Sequence, residues 1–220
     1  MIKWFAANNL ILNLDKTIMM KFIAKNSAHS SIQFGHKEKH TEEKTNTKFL
    51  GLQIDNHINC KNHVKEMISK LSVACYAVRS MVHISIINTL KSIYYAYFHS
   101  ITKRGIIFWG NSSNSGKIFT VQKKTVSLMT GAQARTSHRS PFKHLEILPV
   151  PCQYILSLTN FIINNQKIFQ TNSSIHNINT RNKHHLHRPN ANLSCFQKKY
   201  ILCWHTNIQQ FTTQCDNPQE

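Results

Sequence analysis

Carboxylates are the first residues to weigh, because metal-dependent transfer of phosphoryl or nucleotidyl groups needs several of them at one point. The chain has nine Asp and Glu among 220 residues. The one adjacent pair, Glu42 and Glu43, lies in a polar stretch, and neighbouring side chains of a strand would point to opposite faces. Asp15 and Asp55 are isolated, and Glu66 lies among lysines. The sequence therefore favours solvation and local ion pairs as the role of these carboxylates.

Histidine and cysteine, which are ligand types of zinc, are concentrated toward the C-terminal end. The residues are His184, His185, His187, Cys195, Cys203, His205 and Cys215. No two cysteines of the chain are separated by only two residues, the spacing that commonly sets up a tetrahedral zinc site. We therefore expect solvated histidines, free thiols and no bound cofactor, and a zinc-stabilised tail remains an alternative.

Positive charge dominates the chain. It has 27 Lys and Arg, and its formal net charge is +18. Eleven of these basic residues fall between Met67 and Leu145, where there is no carboxylate. A like-charged surface of this size is typical of proteins that bind a polyanion such as nucleic acid. Apolar residues make up 41% of the chain, enough for a packed core, which excludes a disordered basic tail.

The sequence contains no apolar run near the ~18 residues that a membrane span needs. Its first residues also lack the apolar core of a secretory signal. We therefore expect an intracellular protein that is not secreted and has no membrane partner.

The elements that must position these residues follow from hydrophobic periodicity. Residues 17–22 and 47–54 are rich in Ile, Phe, Leu and Thr, which predicts two strands of a small antiparallel sheet. Apolar residues then recur at steps of three and four from His63 to Val78, which predicts an amphipathic helix. Further helices are predicted at residues 86–102, at 117–129 with Gly131 as its C-terminal cap, and at 152–169. Residues 172–220 show no sustained period and are expected to be loosely ordered.

These elements predict the α+β class, with a small antiparallel sheet followed by a mainly helical region and an irregular basic tail. Aromatic residues are concentrated in the second predicted helix and just after it: Tyr94, Tyr95, Tyr97, Phe98, Phe108 and Trp109. Such residues can stack on bases, but at helical spacing they more often form core.

Several short sequence blocks, each present once, follow one another along the chain. They are WFAANNLILNLDKT at residues 4–17, KFLGLQID at 48–55, His63 and Val64 with KLS at 70–72, Trp109 with Gly110, VQKK at 121–124 leading to Thr130 and Gly131, PFK at 141–143 leading to Tyr154, and NTRN at 179–182 leading to Pro189. In this order the blocks resemble the reverse transcriptases of non-LTR retrotransposons. The resemblance covers roughly residues 3–200.

The resemblance implies a C-terminal fragment of an RNA-directed DNA polymerase. Residues 1–56 would be the remnant of the palm with the primer-grip hairpin, 57–131 a helical thumb-like region, 132–171 a helical extension, and 172–220 a loosely ordered tail. The family's catalytic aspartates would lie upstream, in the fingers and palm that would be the covalent partner of this chain. We therefore expect no catalysis by the chain alone, although the full-length family enzyme uses Mg²⁺.

Individual positions can be carried over from the resemblance. Lys16, with Asn13 and Thr17, matches the palm lysine that lies near the phosphates of the incoming nucleotide in the family. Phe49, Leu50 and Gly51 match the primer grip. Ser127 departs from the pattern, because the family usually has an arginine there, and the pattern is lost from Tyr200 onward.

The expected function is binding of a template–primer nucleic acid: an RNA template, an RNA–DNA hybrid or a DNA primer. The candidate contact residues are the basic residues of the predicted helices: Lys65, Lys70, Arg79, Lys117, Lys123 and Lys124. Two alternatives remain. One is an independent basic nucleic-acid-binding module that zinc could stabilise, and the other is a degenerate element copy without function.

Overall fold

A computed structural model describes residues 2–11, 13, 16–22, 35–36, 39–40, 43–132, 139–177, 181, 183 and 187. The chain divides into two compact units, Met1–Asn59 and Cys60–Glu220. The tail cysteines and histidines from Cys195 onward lie outside the described residues, as do His184 and His185.

The described part of the first unit contains a short helix and two pairs of strands. Helix α1 is Ile2–Ala7, strands β1 (Gly35–His36) and β2 (Lys39–His40) pair with each other, and β3 (Asn46–Phe49) pairs with β4 (Leu52–Asp55). Both pairs are antiparallel. The two-residue turn between β3 and β4 has positive φ at both positions, 48° at Leu50 and 82° at Gly51, as a type I′ hairpin turn requires.

The strand predicted at residues 17–22 is wrong. In this segment only Met19 takes part in β structure, through an isolated parallel bridge to Glu43. Residues 47–54 do not form a single strand either, because they fold back on themselves as the β3–β4 hairpin. Ile18 and Phe22 are largely exposed, so the apolar content that suggested a strand does not correspond to a buried face.

The second unit is helical. Its α-helices are α2 (Lys61–Met81), α3 (Ile87–Ile93), α4 (Ser100–Lys103), α5 (Ile106–Trp109), α6 (Ser115–Thr130), α7 (Arg139–Leu145), α8 (Val150–Asn164) and α9 (Asn172–His176). A π-helix, Tyr94–His99, joins α3 directly to α4, and a 3₁₀ turn, Gln166–Ile168, follows α8. The result confirms the predicted α+β class.

One hydrophobic core holds these helices together. Its largest fully buried side chains are Trp109, Tyr94, Phe98, Leu71, Ile118, Leu145 and Leu158. Helix α2 contributes a continuous stripe at the predicted spacing, from Val64 through Met67, Leu71 and Ala74 to Val78. Helix α6 packs against α2 and buries Ile118, Val126 and Met129.

The predicted helices are present, with differences at their ends. Gly131 caps α6 with a φ of 64°, as its position predicts. Helix α8 ends at Asn164, five residues before the predicted end. Periodicity did not predict α7 as a separate helix, although α7 lies within the helical extension that the resemblance implies at residues 132–171. Helix α9 occupies the first five residues of a segment that was expected to be loosely ordered. Within the described ranges no single helix is long and apolar enough to cross a membrane, and only α7 with α8, bent by 56°, passes that test of length and composition as a pair.

Candidate nucleic-acid interface

The outer face of α2 is a polar and basic stripe opposite the buried one. Six residues recur there at steps of three or four, and all are exposed: Lys61, Lys65, Ser69, Ser72, Tyr76 and Arg79. Positions with this spacing share one side of a helix with 3.6 residues per turn. From Lys61 to Arg79 the stripe is about 27 Å long at a rise of ~1.5 Å per residue. The helix therefore presents an extended surface with positive charge near both ends and a tyrosine between them.

The candidate basic residues on α2 are not equivalent. Lys70 lies to one side of the outer face, and its Nζ is 2.7 Å from Glu66 Oε1, so its charge is partly balanced. Within the described residues no ion pair involves Lys65 or Arg79. Lys65 and Arg79 are therefore better placed than Lys70 to receive a phosphate.

Helix α6 supplies the other candidate lysines. Lys117 and Lys124 are exposed seven residues apart, on the same side of the helix. Lys123 is half-buried, and its Nζ lies 4.9 Å from the ring centroid of Phe119. That ring in turn contacts Phe142 of α7, with 6.1 Å between the ring centroids. The position of the Lys123 ammonium group is thus fixed by a cation–π contact, whereas the other two lysines extend into solvent.

A buried glutamine fixes α6 to its neighbours. Gln122 is fully buried, and its Nε2 donates to the Tyr94 hydroxyl at 2.8 Å and to the Leu148 carbonyl at 3.0 Å. Its Oε1 accepts from the Val150 backbone N–H at 2.8 Å. Burial raises the pKa of Tyr94, so this hydroxyl stays neutral at physiological pH. One side chain thereby links α6 to the π-helix and to the start of α8.

A second glutamine holds the other end of the π-helix. Gln153 Nε2 donates to the Leu148 carbonyl at 2.8 Å and lies 3.2 Å from His99 Nδ1. A carbonyl can only accept, which orients the amide, so His99 Nδ1 accepts the other N–H and the ring proton is on Nε2. Burial, followed by the nearby charge of Lys103, lowers the pKa of His99. Burial also lowers the pKa of His63 on α2.

The Trp109–Gly110 block has a packing explanation. Trp109 is fully buried, and its Nε1 donates to the Arg104 carbonyl at 3.1 Å. A Cβ added at Gly110 would lie 2.5 Å from Tyr154 Cδ2 and 2.6 Å from the Ile106 carbonyl oxygen. Only glycine therefore lets α5 and α8 approach this closely.

The candidate residues of the first unit lie in two local turns. Lys16 is exposed, and its backbone N–H is 3.2 Å from Asn13 Oδ1, while the Thr17 hydroxyl donates to the Asn13 carbonyl at 2.7 Å. Phe49 and Leu50 are at the tip of the β3–β4 hairpin, where their side chains are 59% and 81% exposed. The hairpin tip is therefore apolar and open to solvent.

The aromatic cluster divides between core and surface. Tyr94, Phe98 and Trp109 are fully buried, and the Tyr94 and Phe98 rings stack at 5.2 Å between centroids. Tyr95 and Tyr97 are exposed. Three of the six aromatic residues thus form core, as their helical spacing favours, and the partly buried Phe108 packs against that core. The exposed Tyr95 and Tyr97 remain able to stack on bases.

Sequence reasoning missed two residues of the candidate interface. Lys61 lies one turn before Lys65, and Tyr76 is 73% exposed on the same face. Their spacing from Lys65 and Arg79 could have revealed them, but the helix was predicted to start at His63, which left Lys61 outside it.

Among the described residues, no group of three or more His, Cys, Asp or Glu gathers as a metal site. Comparison of the chain with models of protein families, with curated proteins and with solved structures gives no match.

Proposed function

We propose that this chain is the C-terminal part of a non-LTR retrotransposon reverse transcriptase and that its helical unit holds a template–primer duplex. The ancestry rests on the ordered sequence blocks. The binding role rests mainly on one observation, the exposed outer face of α2 with Lys61, Lys65 and Arg79. Helix α6 adds Lys117 and Lys124.

The charge balance of the helical unit supports a polyanionic ligand. Its described residues include fifteen Lys and Arg but only two carboxylates, Glu66 and Glu146. Both glutamates are already paired, with Lys70 and Lys91 respectively. The described part of the unit therefore carries an excess of thirteen basic residues over carboxylates, for which phosphates are natural counter-charges.

Recognition in this proposal depends on backbone contacts and the shape of the duplex. Lysine and arginine bind phosphates whatever the base sequence, and they release condensed counterions. Tyr76, between Lys65 and Arg79, can pack its ring against sugar and donate its hydroxyl to a phosphate or a ribose 2′-OH. We also propose that the apolar hairpin tip at Phe49 and Leu50 contacts the primer. Lys16 is proposed to occupy the position of the family's palm lysine.

The family's Mg²⁺ does not fit the described residues of this chain. Their carboxylates are Glu43, Asp55, Glu66 and Glu146, and they form no group with the hard oxygen ligands that Mg²⁺ requires. The proposal therefore assigns no chemical step to these residues and is limited to binding.

The first prediction concerns binding of an RNA–DNA hybrid across a salt series. The full chain should bind at low salt, and affinity should fall steeply as salt rises. Lys65→Ala and Arg79→Ala should each weaken binding and reduce the slope of log K against log[salt] by about 1. The matched control is Lys167→Ala, which removes an exposed lysine of the 3₁₀ turn after α8.

Absence of binding at low salt would contradict the binding role, as would equal effects of the Lys65 and Lys167 substitutions. The ancestry is tested separately by reading the DNA upstream of the Met1 codon. A Tyr-Ala-Asp-Asp run there, in frame or frameshifted, supports the proposal, and an unrelated upstream sequence contradicts it.

A further inference from the structure

Two histidines meet at the end of the described chain. His176 is the last residue of α9, and its Nε2 lies 3.2 Å from Nδ1 of His187. The ring centroids are 4.9 Å apart, and the ring planes are inclined by 58°. The sequence placed His187 among histidines that were expected to be solvated, with a zinc-stabilised tail as the alternative, and it did not single out His176, which is eleven residues away.

Backbone hydrogen bonds hold this pair in place. The Ser173 N–H donates to the Lys183 carbonyl at 3.0 Å, and the His187 N–H donates to the Gln170 carbonyl at 2.7 Å. The chain therefore closes a loop, with one histidine at the end of α9 and the other on the returning segment. These bonds bring the main chain at His187 close to α9, which allows the two rings to meet.

The distance between the two nitrogens fits two ligands of one tetrahedral ion. With Zn–N bonds of ~2.0–2.1 Å, tetrahedral geometry places two ligand nitrogens about 3.3–3.4 Å apart. Without metal, the same atoms can share one N–H···N hydrogen bond. Metal binding needs both lone pairs, so the ring protons must then lie on His176 Nδ1 and His187 Nε2.

We propose that His176 Nε2 and His187 Nδ1 bind one divalent transition-metal ion of the zinc type. The donor set selects against calcium and magnesium, because imidazole is a borderline-soft ligand and the described residues from 147 to 187 contain no carboxylate. Water or further donors complete the coordination. This site is independent of the proposed nucleic-acid binding.

Such a site would stabilise a weak part of the fold. Helix α9 has five residues and no side-chain cap, and it is too short to be stable alone. A metal ion bound by both His176, the last residue of α9, and His187 would bind the folded form in preference to the unfolded one. It would therefore stabilise the closed loop.

The second prediction is tested by titrating the chelator-treated full chain with Zn²⁺, and with Co²⁺ as a spectroscopic probe, in the absence of nucleic acid. We expect one saturable site with a rise in Tm. His176→Asn and His187→Asn should each weaken Zn²⁺ binding by at least about tenfold. The control is His144→Asn, an exposed histidine of α7.

Imidazole NMR of the unsubstituted chain gives an independent readout that does not depend on how the variants fold. Zn²⁺ should shift the ring signals of His176 and His187. The proposal is wrong if no Zn²⁺ binds, if Zn²⁺ binds equally well to both variants because other donors hold it, or if neither ring responds.

Discussion

At the residue scale, Gly110 is the clearest case of a side chain dictated by packing. Its missing Cβ leaves room for the Tyr154 ring and for the Ile106 carbonyl. Neither obstacle is the flexible end of a long side chain, because one is an aromatic ring held in the core and the other is backbone. The Trp-Gly block that contributed to the family resemblance thus has a structural reason at this position.

The third prediction follows from that contact. Gly110→Ala should lower the free energy of unfolding by about 1–3 kcal/mol, because the added methyl group forces α5 and α8 apart. Urea unfolding followed by circular dichroism measures the change. Gly116→Ala is the matched control: no heavy atom lies within 4 Å of a Cβ there, so the substitution should not lower stability. Because Gly116 lies in the first turn of α6, helix propensity should raise stability by at most about 1 kcal/mol. Equal effects of the two substitutions would contradict the packing argument.

Single residues of the core were only partly predictable. The apolar stripe of α2 follows from its spacing, because burial and periodicity agree along its whole length. Gln122 could not be recognised as buried, since its partners Tyr94 and Val150 are 28 residues away in opposite directions along the chain. Polar residues become core residues only when distant groups satisfy them, and sequence spacing does not show that.

At the scale of elements, the π-helix is the unexpected feature. Residues 86–102 were predicted as one ordinary helix, and the chain is indeed helical from Ile87 to Lys103. The π-helix lies between two tertiary hydrogen bonds, from Gln122 to Tyr94 at its start and from Gln153 to His99 at its end. Its wider turn is therefore associated with partners on α6 and α8, which local propensity cannot predict.

The fourth prediction concerns the pH dependence of the free energy of unfolding. Burial lowers the pKa of His99 and of His63 in the folded state, so below about pH 6.5 the unfolded chain binds protons that the folded chain does not. Stability is therefore retained above that pH and lost as pH falls below it. Protonation of His99 would also put a hydrogen on its Nδ1, which would then face the Nε2–H of Gln153, so that two donors oppose each other.

Urea midpoints between about pH 7.5 and pH 5 measure this effect. The urea midpoint of the wild type should fall as the pH is lowered. The midpoint of His99→Gln should fall less steeply, because only the contribution of His63 remains. His144→Gln, on the exposed side of α7, should behave as the wild type. A His99→Gln profile parallel to the wild type would show that His99 does not titrate as argued.

The hairpin shows why the sheet was mispredicted. Residues 17–22 and 47–54 have similar apolar content, and two such segments suggest pairing with each other. The turn formed by Leu50 and Gly51 instead lets β3 and β4 pair at once, with Phe49 opposite Leu52. Apolar content alone did not reveal this turn, whereas the resemblance to the primer-grip hairpin implied one at Phe49, Leu50 and Gly51.

At the scale of the whole molecule, charge is the dominant property. The chain carries +18 in 220 residues, and its helical unit holds most of the described basic residues. Mutual repulsion of these groups opposes folding and is screened by salt.

The fifth prediction is that added salt stabilises the free protein. The Tm should rise by a few degrees between about 0.05 and 0.5 M NaCl, because screening lowers the repulsion in the folded state more than in the expanded unfolded chain. Differential scanning calorimetry measures the shift. The double substitution Lys65→Glu and Arg79→Glu should show a smaller rise, and a Tm that falls with salt in the wild type would contradict the argument.

The general nature of the candidate interface was predictable from the sequence, but its geometry was not. The absence of carboxylates from Met67 to Leu145 already indicated a basic helical surface. Spacing could have ranked Lys70 below Lys65, because Glu66 and Lys70 are four residues apart on a predicted helix, where such residues pair. The sequence could not show that His176 and His187 are in contact, because that contact depends on the path of the chain after α9.

The Leu148 carbonyl has an evolutionary consequence for the chain. Both glutamine amides donate to this one oxygen, at 3.0 Å from Gln122 and 2.8 Å from Gln153. A substitution at either position alters the acceptor that the other uses, so their effects should not add. Positions 122 and 153, on different helices, are therefore expected to show epistasis, with changes at one tolerated only in particular backgrounds at the other.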